Sequence, residues 1–480
     1  MPKRKLPAPL TELMARGWAA QSSFDATLVS GADHHARART ALSEAFKGWA
    51  LVVPTGGSKA HNNDAEYDFR PGSDFAYLTG HYEPDAVLVL FPAGSGHEAT
   101  LYLRPRADRS KPEFFTSYHG ELWTGPRLTL AQQQARLGVL CADLVDLTDA
   151  LAKLDPHYTA VLRGLDDQVD TALPAAQSKE ASRDGELAQA LAELRLVKNE
   201  WEIQQLDDAI STTLRGFADV VRALPADQPS PERLVEGVFG LRARLDGNAV
   251  GYCTIAAAGA HACTLHWACN TGICRPGELL LLDAGVENAH LYTADITRTF
   301  PISGEFTPAQ RQIYDIVYAA QQAGIAAIKP GVRWSTVARA CTRVLAEGLA
   351  RLDILPVPPK QALRSDNQTH RRWTLHGFGH MLGLDVHDCT HARKEIYRSG
   401  KLNAGYVLTV EPGLYFQPDD ELVPPRYRGI GVRIEDNILV TDEGCRVLSR
   451  ALPSEPEALL AWMRELRAQP AALLQDTQLV

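Results

Sequence analysis

Short apolar runs alternate with helical stretches in the first third of the chain. "WALVVPT" (49–55), "DAVLVLFP" (85–92) and "EATLYLR" (98–104) are β-rich and followed by turn residues, while 36–48 and 128–140 have helical composition. The alternation predicts an α/β domain. Residues 175–186, "AAQSKEASRDGE", are polar and short of large apolar side chains, as in a linker. Residues 187–224 then carry apolar positions at helical spacing with few breakers, predicting one long helix or two. From about 250 the chain turns β-rich, with a helical interlude at 307–351 and an amphipathic helix in the tail, "EPEALLAWMRELRAQ". The expected organisation is 1–186, 187–453 and 454–480, in an α/β (α+β) fold. The Pro-rich, charged stretch 356–372 is expected to be a surface loop near a site entrance.

Within the β-rich half, apolar runs end in acids. "GELLLLDAG" (277–285) is a buried-strand pattern closed by Asp283. In "HLYTADITRTFP" (290–301), Thr293, Asp295, Thr297 and Thr299 share one face, which places Asp295 in mid-strand. "GYVLTVEPGLYF" (405–416) runs into Glu411, and "GIGVRIEDNILVTDEG" (429–444) sets Arg433 and Glu435 on one face. Taken singly, an acid before Gly or Pro is a turn residue and a strand acid faces solvent. Four together, in apolar surroundings, would repel one another and hold some members protonated. Two divalent cations remove that conflict.

Histidines crowd the same region. "HGFGHMLGLDVHD" (376–388) holds His376, His380 and His387, yet glycines at 377, 379 and 383 exclude the helical zinc motif that the i, i+4 pair suggests. One imidazole with four carboxylates makes a hard, oxygen-dominated site suited to Mn and open to Zn, Fe or Co. Two such metals about 3.5–4 Å apart can ionise a bridging water at neutral pH.

Composition removes other classes. The net charge of −9 and pI near 5.9 leave no basic field for nucleic acid or an anionic membrane. The basic start "MPKRKLPAPL" has no apolar stretch after it, and no run approaches the roughly 18 residues of a membrane span, so a cytoplasmic protein is expected. The eight cysteines, including Cys253, Cys263, Cys269 and Cys274, lack zinc-ribbon or dithiol spacing and read as free core thiols.

In order, "TLHW", "LLLLDAG", "ADITRTFP", "HGFGHMLGLDVHD", "TVEPGLYF" and "RGIGVRIEDNILVT" resemble the pita-bread dinuclear metallopeptidases, and within them the Xaa-Pro aminopeptidase (aminopeptidase P) group. "SDFAYLTGHYEPDAVLVL" (73–90) resembles that group's N-terminal domain and "LRLVKNEWEIQQL" (194–206) its entry into the catalytic domain. The resemblance covers roughly 40–450. It implies a curved antiparallel sheet flanked by helices at 187–453. It implies two divalent ions per chain, Mn2+ first, with Zn2+, Co2+ or Fe2+ as alternatives. Asp283 would hold one ion, His380 and Glu411 the other, and Asp295 and Glu435 would bridge them. Glu411 would also take the proton of the bridging water. His266 and His387 would meet the scissile carbonyl or its leaving side, His376 would lie near the leaving proline, and Arg433 would brace the carboxylates. The expected substrates are short peptides with penultimate proline, and the expected assembly is a homodimer or homotetramer.

Two departures lie near the substrate. His261 stands where similar enzymes carry a small polar residue, and "CTHARKE" after Asp388 brings in His391 as an extra imidazole near the cleft. Prolidase, an Xaa-Pro dipeptidase, shares the metals and histidines and is the main alternative. Methionine aminopeptidases lack the long N-terminal domain. Non-catalytic pita-bread binding modules should have broken ligand positions, and all five are present here.

Overall fold

A computed structural model describes residues 6–18, 27–63, 65–175, 183–397 and 399–469. The chain forms two compact units, Met1–Leu194 and Arg195–Val480. Of the linker stretch, 176–182 fall outside the described residues.

The first unit is built on a five-stranded mixed sheet, in the order Leu140–Asp143, Gly96–Leu103, Val87–Ala93, Ala50–Pro54, Thr159–Val161. The inner strands pair antiparallel and the two outer ones parallel. The inner three are those the apolar runs predict. The outer two are only four and three residues long, too short for a periodic signal. The helix Asp184–Leu194, which the sequence assigns to the second region, belongs to this unit. Asp184 at its start accepts from the Val161 backbone N–H at 2.8 Å and from Arg163 Nε at 2.8 Å, tying it to the sheet edge.

The stretch 187–224 is two helices, Asp184–Leu194 and Glu200–Ala223. The second starts where Asn199 and Glu202 form a capping box, each side chain accepting from the other's backbone N–H. In the second unit three antiparallel groups carry the acids. Ile255–Ala258, Leu279–Ala284 and Ile296–Pro301 form one sheet, Val407–Val410, Asp436–Val440 and Cys445–Val447 another, and Gly413–Tyr415 pairs with Gly431–Arg433. All six residues of Leu279–Ala284 are buried, as its leucine run predicts. Helices Glu232–Asp246, Pro308–Ala326 and Trp334–Arg351 accompany them, and the tail helix Pro456–Ala468 belongs to the same unit.

Asp295 is not in mid-strand; the strand starts at Ile296. The Asn437 amide replaces the missing ladder. Its Oδ1 accepts from the Asp295 backbone N–H at 3.2 Å, and its Nδ2 donates to the Asp295 carbonyl. The stretch 356–372 holds a helical turn at Pro359–Ala362 and a 3₁₀ turn at Thr369–Arg372, and none of it lines the cavity described below. All eight cysteines are free, but Cys253 and Cys269 are exposed rather than in the core. No described helix is long and apolar enough to cross a membrane.

Candidate active site

The strand ends open on a cavity of about 250 Å³. His266, Asp283, Asp295, His376, His380, His387, Glu411, Arg433 and Glu435 all line it, so every residue given a metal-holding, substrate-facing or bracing role in the sequence is brought to one place. His261 and His391 do not line it. His391 is exposed, so it adds no imidazole to the cleft.

Local backbone explains the arrangement. Asp283 is the penultimate residue of a buried strand, with Ile255 and Thr297 as its lateral neighbours. Glu411 follows Val407–Val410, and Glu435 sits between Gly431–Arg433 and Asp436–Val440. The segment 376–380 is irregular rather than helical, as its glycines require. At Gly379, φ is +152°, and a Cβ would stand 2.1 Å from the Thr409 carbonyl oxygen. The glycine lets the chain cross the neighbouring strand closely enough for the Thr409 N–H to donate to the His380 carbonyl at 2.9 Å.

Asp295, His380 and Glu435 offer ligand atoms all within 4.8 Å of one another. His380 Nδ1 lies 3.0 Å from the Met381 carbonyl, which only accepts, so Nδ1 carries the proton. Nε2 is thereby aimed at Asp295 Oδ2 (3.2 Å) and Glu411 Oε1 (3.6 Å). This is how a metal-ligating histidine is oriented by its own backbone.

The electrostatics describe a cluster short of positive charge. Burial raises the Glu411 carboxyl to about 7; His380 and Arg433 oppose the rise, while Asp295 and Asp283 add to it. Burial and then Asp295, Glu411 and Asp283 push Glu435 well above the ordinary carboxylate range. Burial raises Asp283 despite Arg433 beside it. Burial lowers the His380 imidazolium, but the hydrogen bond and charge of Asp295 outweigh it and carry the group up to about 9. Glu435 Oε1 is buried without a hydrogen-bond partner. A donor set of four carboxylates and one imidazole, with an orphaned buried oxygen, fits divalent cations of the oxygen-preferring kind.

Supporting residues, of which only Tyr252 lies outside the quoted motifs, complete the site. The Tyr252 hydroxyl lies 2.7 Å from Asp283 Oδ1 and 2.5 Å from Asp295 Oδ1; burial and both acids push its pKa far up, keeping it a donor. Thr297 donates to Glu435 Oε2 at 2.7 Å. Arg433, buried, donates from Nη2 to Asp283 Oδ2 at 2.6 Å, from Nε to Thr297 Oγ1 at 3.2 Å and from Nη1 to the Tyr415 hydroxyl at 3.0 Å. Tyr415 in turn donates to His376 Nε2 at 2.7 Å, because His376 Nδ1 faces the Gly377 carbonyl at 2.5 Å. Burial and Arg433 lower His376 to about 4, so its imidazole is neutral. Burial and His380 also lower His387. Behind His387, Asp388 is wholly buried against Lys198 Nζ at 2.8 Å and Arg195 at 3.3 Å. These partners lie some 18 to 193 positions from the groups they hold.

Residues 204–442 match the model of metallopeptidase family M24, and 35–161 that of the aminopeptidase P N-terminal domain. The chain is 50% identical to Xaa-Pro aminopeptidase 1 of Streptomyces coelicolor over 95% of its own length and 92% of the relative's. It is 34% identical to the Xaa-Pro aminopeptidase of Escherichia coli over 90% of this chain and 98% of that one. The solved structure of aminopeptidase P from E. coli with the inhibitor Pro-Leu superposes with a TM-score of 0.81 at 32% identity, covering 92% of this chain and all of that one.

Proposed function

The chain belongs to metallopeptidase family M24, and from that membership and the convergence of nine residues on one cavity we propose that it is an Xaa-Pro aminopeptidase, releasing the first residue of peptides with proline in second position. Asp283, Asp295, His380, Glu411 and Glu435 would hold two divalent cations, Mn2+ by preference, which when bound would supply a water ionised near neutral pH and polarise the scissile carbonyl.

The side chains do the rest. Glu411, as the resemblance implies, would take the water's proton and return it to the leaving nitrogen. His266 and His387 aim N–H groups at the carbonyl oxygen as charge develops there. A peptide bond before proline has no N–H, so recognition falls on the carbonyl and the ring, and the His376 imidazole, fixed by Tyr415, meets the proline side. Arg433 holds Asp283 and, through Tyr415, His376 in register. The protein acts in the cytoplasm as a homodimer or homotetramer; a monomer in light scattering would refute the assembly.

The deciding experiment compares an Xaa-Pro dipeptide with an Xaa-Pro-Yaa tripeptide after loading with Mn2+. Faster tripeptide cleavage with release of the first residue is expected. Strong preference for the dipeptide would make the enzyme a prolidase instead.

A further inference from the structure

His266 sits on a long connection between the strand Ile255–Ala258 and the short strand Ile273–Cys274. Leu265, His266 and Ala268 from this connection line the cavity, so its shape sets one wall of the cleft. The connection contains only one 3₁₀ turn, Gly259–Cys263, and is otherwise irregular. Something other than a ladder must hold it.

Beneath it lies Glu232, the first residue of the helix Glu232–Asp246 and wholly buried. Its two oxygens accept four hydrogen bonds from the connection. Oε1 takes the Ala258 backbone N–H at 2.8 Å and faces His261 Nδ1 at 2.8 Å. Oε2 takes Trp267 Nε1 at 2.8 Å and the Gly272 backbone N–H at 2.6 Å. The group therefore grips both ends of the connection and the residue next to His266. The His261 ring stacks on Trp267 with centroids 3.9 Å apart and 21° between planes. Gly272 leaves the necessary room, since a Cβ there would stand 2.5 Å from the His261 ring and 2.7 Å from the Glu232 carboxyl carbon. On the other side, Leu265 and Trp267 pack against a core that includes Tyr415, the residue holding His376.

We infer that Glu232 is the positioning residue of this enzyme's substrate wall, setting His266 against the scissile carbonyl through His261, Trp267 and Gly272. The inference rests on the reading of His266 as a group that meets the substrate. The His261 departure in the sequence acquires a role here, as a brace for the wall rather than a contact of the cavity. None of the four bonds involves a residue proposed to hold metal, so the tie and the metal centre are separable.

The test is a double-mutant cycle on tripeptide cleavage by the full chain, with bound metal measured in every variant. Glu232→Gln keeps the volume but turns an NH2 toward two of the four N–H donors. The expected result is a fall in kcat of tens of fold, up to about 100-fold, as for a reacting group misplaced by about 1 Å, with KM and metal content nearly unchanged. In a His266→Ala background the same substitution should cost almost nothing further. Equal losses in both backgrounds, or loss of metal, would overturn the inference. Should Glu232→Gln fail to fold, Trp267→Phe removes one donor, keeps an aromatic ring, and is judged by the same comparison with a smaller expected loss. A native chain that cleaves no Xaa-Pro peptide, or a fully active His266→Ala, removes the reading beneath the inference; an additive cycle in an active enzyme overturns the inference alone.

Discussion

Replacing Lys198 by methionine would strand one of the most deeply buried charges in the protein. Lys198 Nζ lies 2.8 Å from Asp388 Oδ2, and both side chains are 1% exposed. Burial alone would raise the Asp388 carboxyl, but Lys198 and then Arg195 outweigh it and hold it below the ordinary range. Burial alone would lower Lys198, but Asp388 outweighs it and the ammonium is held above its ordinary value. Removing one partner of such a pair costs about 3–5 kcal/mol. Arg195, 3.3 Å from the other Asp388 oxygen, still compensates part of the charge, which sets the expectation near the lower end, about 3 kcal/mol. For a unit of this size that is a fall in Tm of roughly 6 °C.

The assay is denaturant unfolding of Lys198→Met, Asp388→Asn and the double variant. The double variant should be more stable than Lys198→Met alone, because it removes the stranded charge. The pH dependence has a definite sign. Asp388, held low when folded, contributes stability that is present above its unfolded value near 4 and lost as pH falls through its folded one. The deficit of Lys198→Met should therefore shrink below about pH 4. A loss no larger than the roughly 1 kcal/mol of an exposed pair, or additive costs in the double variant, would refute the reasoning.

Other outcomes follow from the cavity. Tyr252→Phe removes the hydroxyl shared by Asp283 and Asp295 and should weaken Mn2+ binding or turnover about 10- to 100-fold, measured by metal titration and tripeptide kinetics; unchanged affinity and rate would count against its supporting role. Because burial lifts the Glu411 carboxyl to about 7, Mn2+ binding to metal-stripped protein should release more protons at pH 6 than at pH 8, read by calorimetry in buffers of different ionisation heat; equal release at both would refute this. By the same shift, metal-stripped protein should lose stability as pH rises from about 4.5 to 7, where the folded state holds the proton more tightly than the unfolded one, and His380, held up to about 9, should continue the loss above pH 7. Gly379→Ala should disturb His380 through the Thr409 carbonyl and cut metal content; a fully loaded, active variant would show that the close crossing is not needed.

The acids could be singled out because each is a charge in an apolar β context, Asp283 and Glu411 at the end of an apolar run and Asp295 and Glu435 within alternating ones. The glycines excluded a helical zinc pair, and only the family resemblance singled out His380 among the three histidines. The residues that hold these groups obey their local rules and leave no such mark. Thr297 is an ordinary strand residue until Glu435 is placed beside it, and Tyr415 an ordinary aromatic until Arg433 and His376 flank it. Lys198 sits between two helices in a stretch whose apolar spacing leaves open whether one helix or two is present. The mid-strand expectation for Asp295 failed for a similar reason: alternation continues through 293–299, but the ladder there is replaced by an amide from Asn437.

That substitution also bears on the order of assembly. The backbone at Asp295 is held by a side chain 142 positions later, and Glu435 is gripped by Thr297 across 138. Neither acid can take its place while the later segment is still unfolded, so no early fragment contains a prepared cation site. Ions that recognise this cluster would select chains that have already closed these long-range contacts, and each bound ion would shift the folding equilibrium toward completion. Metal uptake and the last stages of folding would then be a single cooperative event in this chain, with Asn437, which lines no part of the cavity, as one of its hinges.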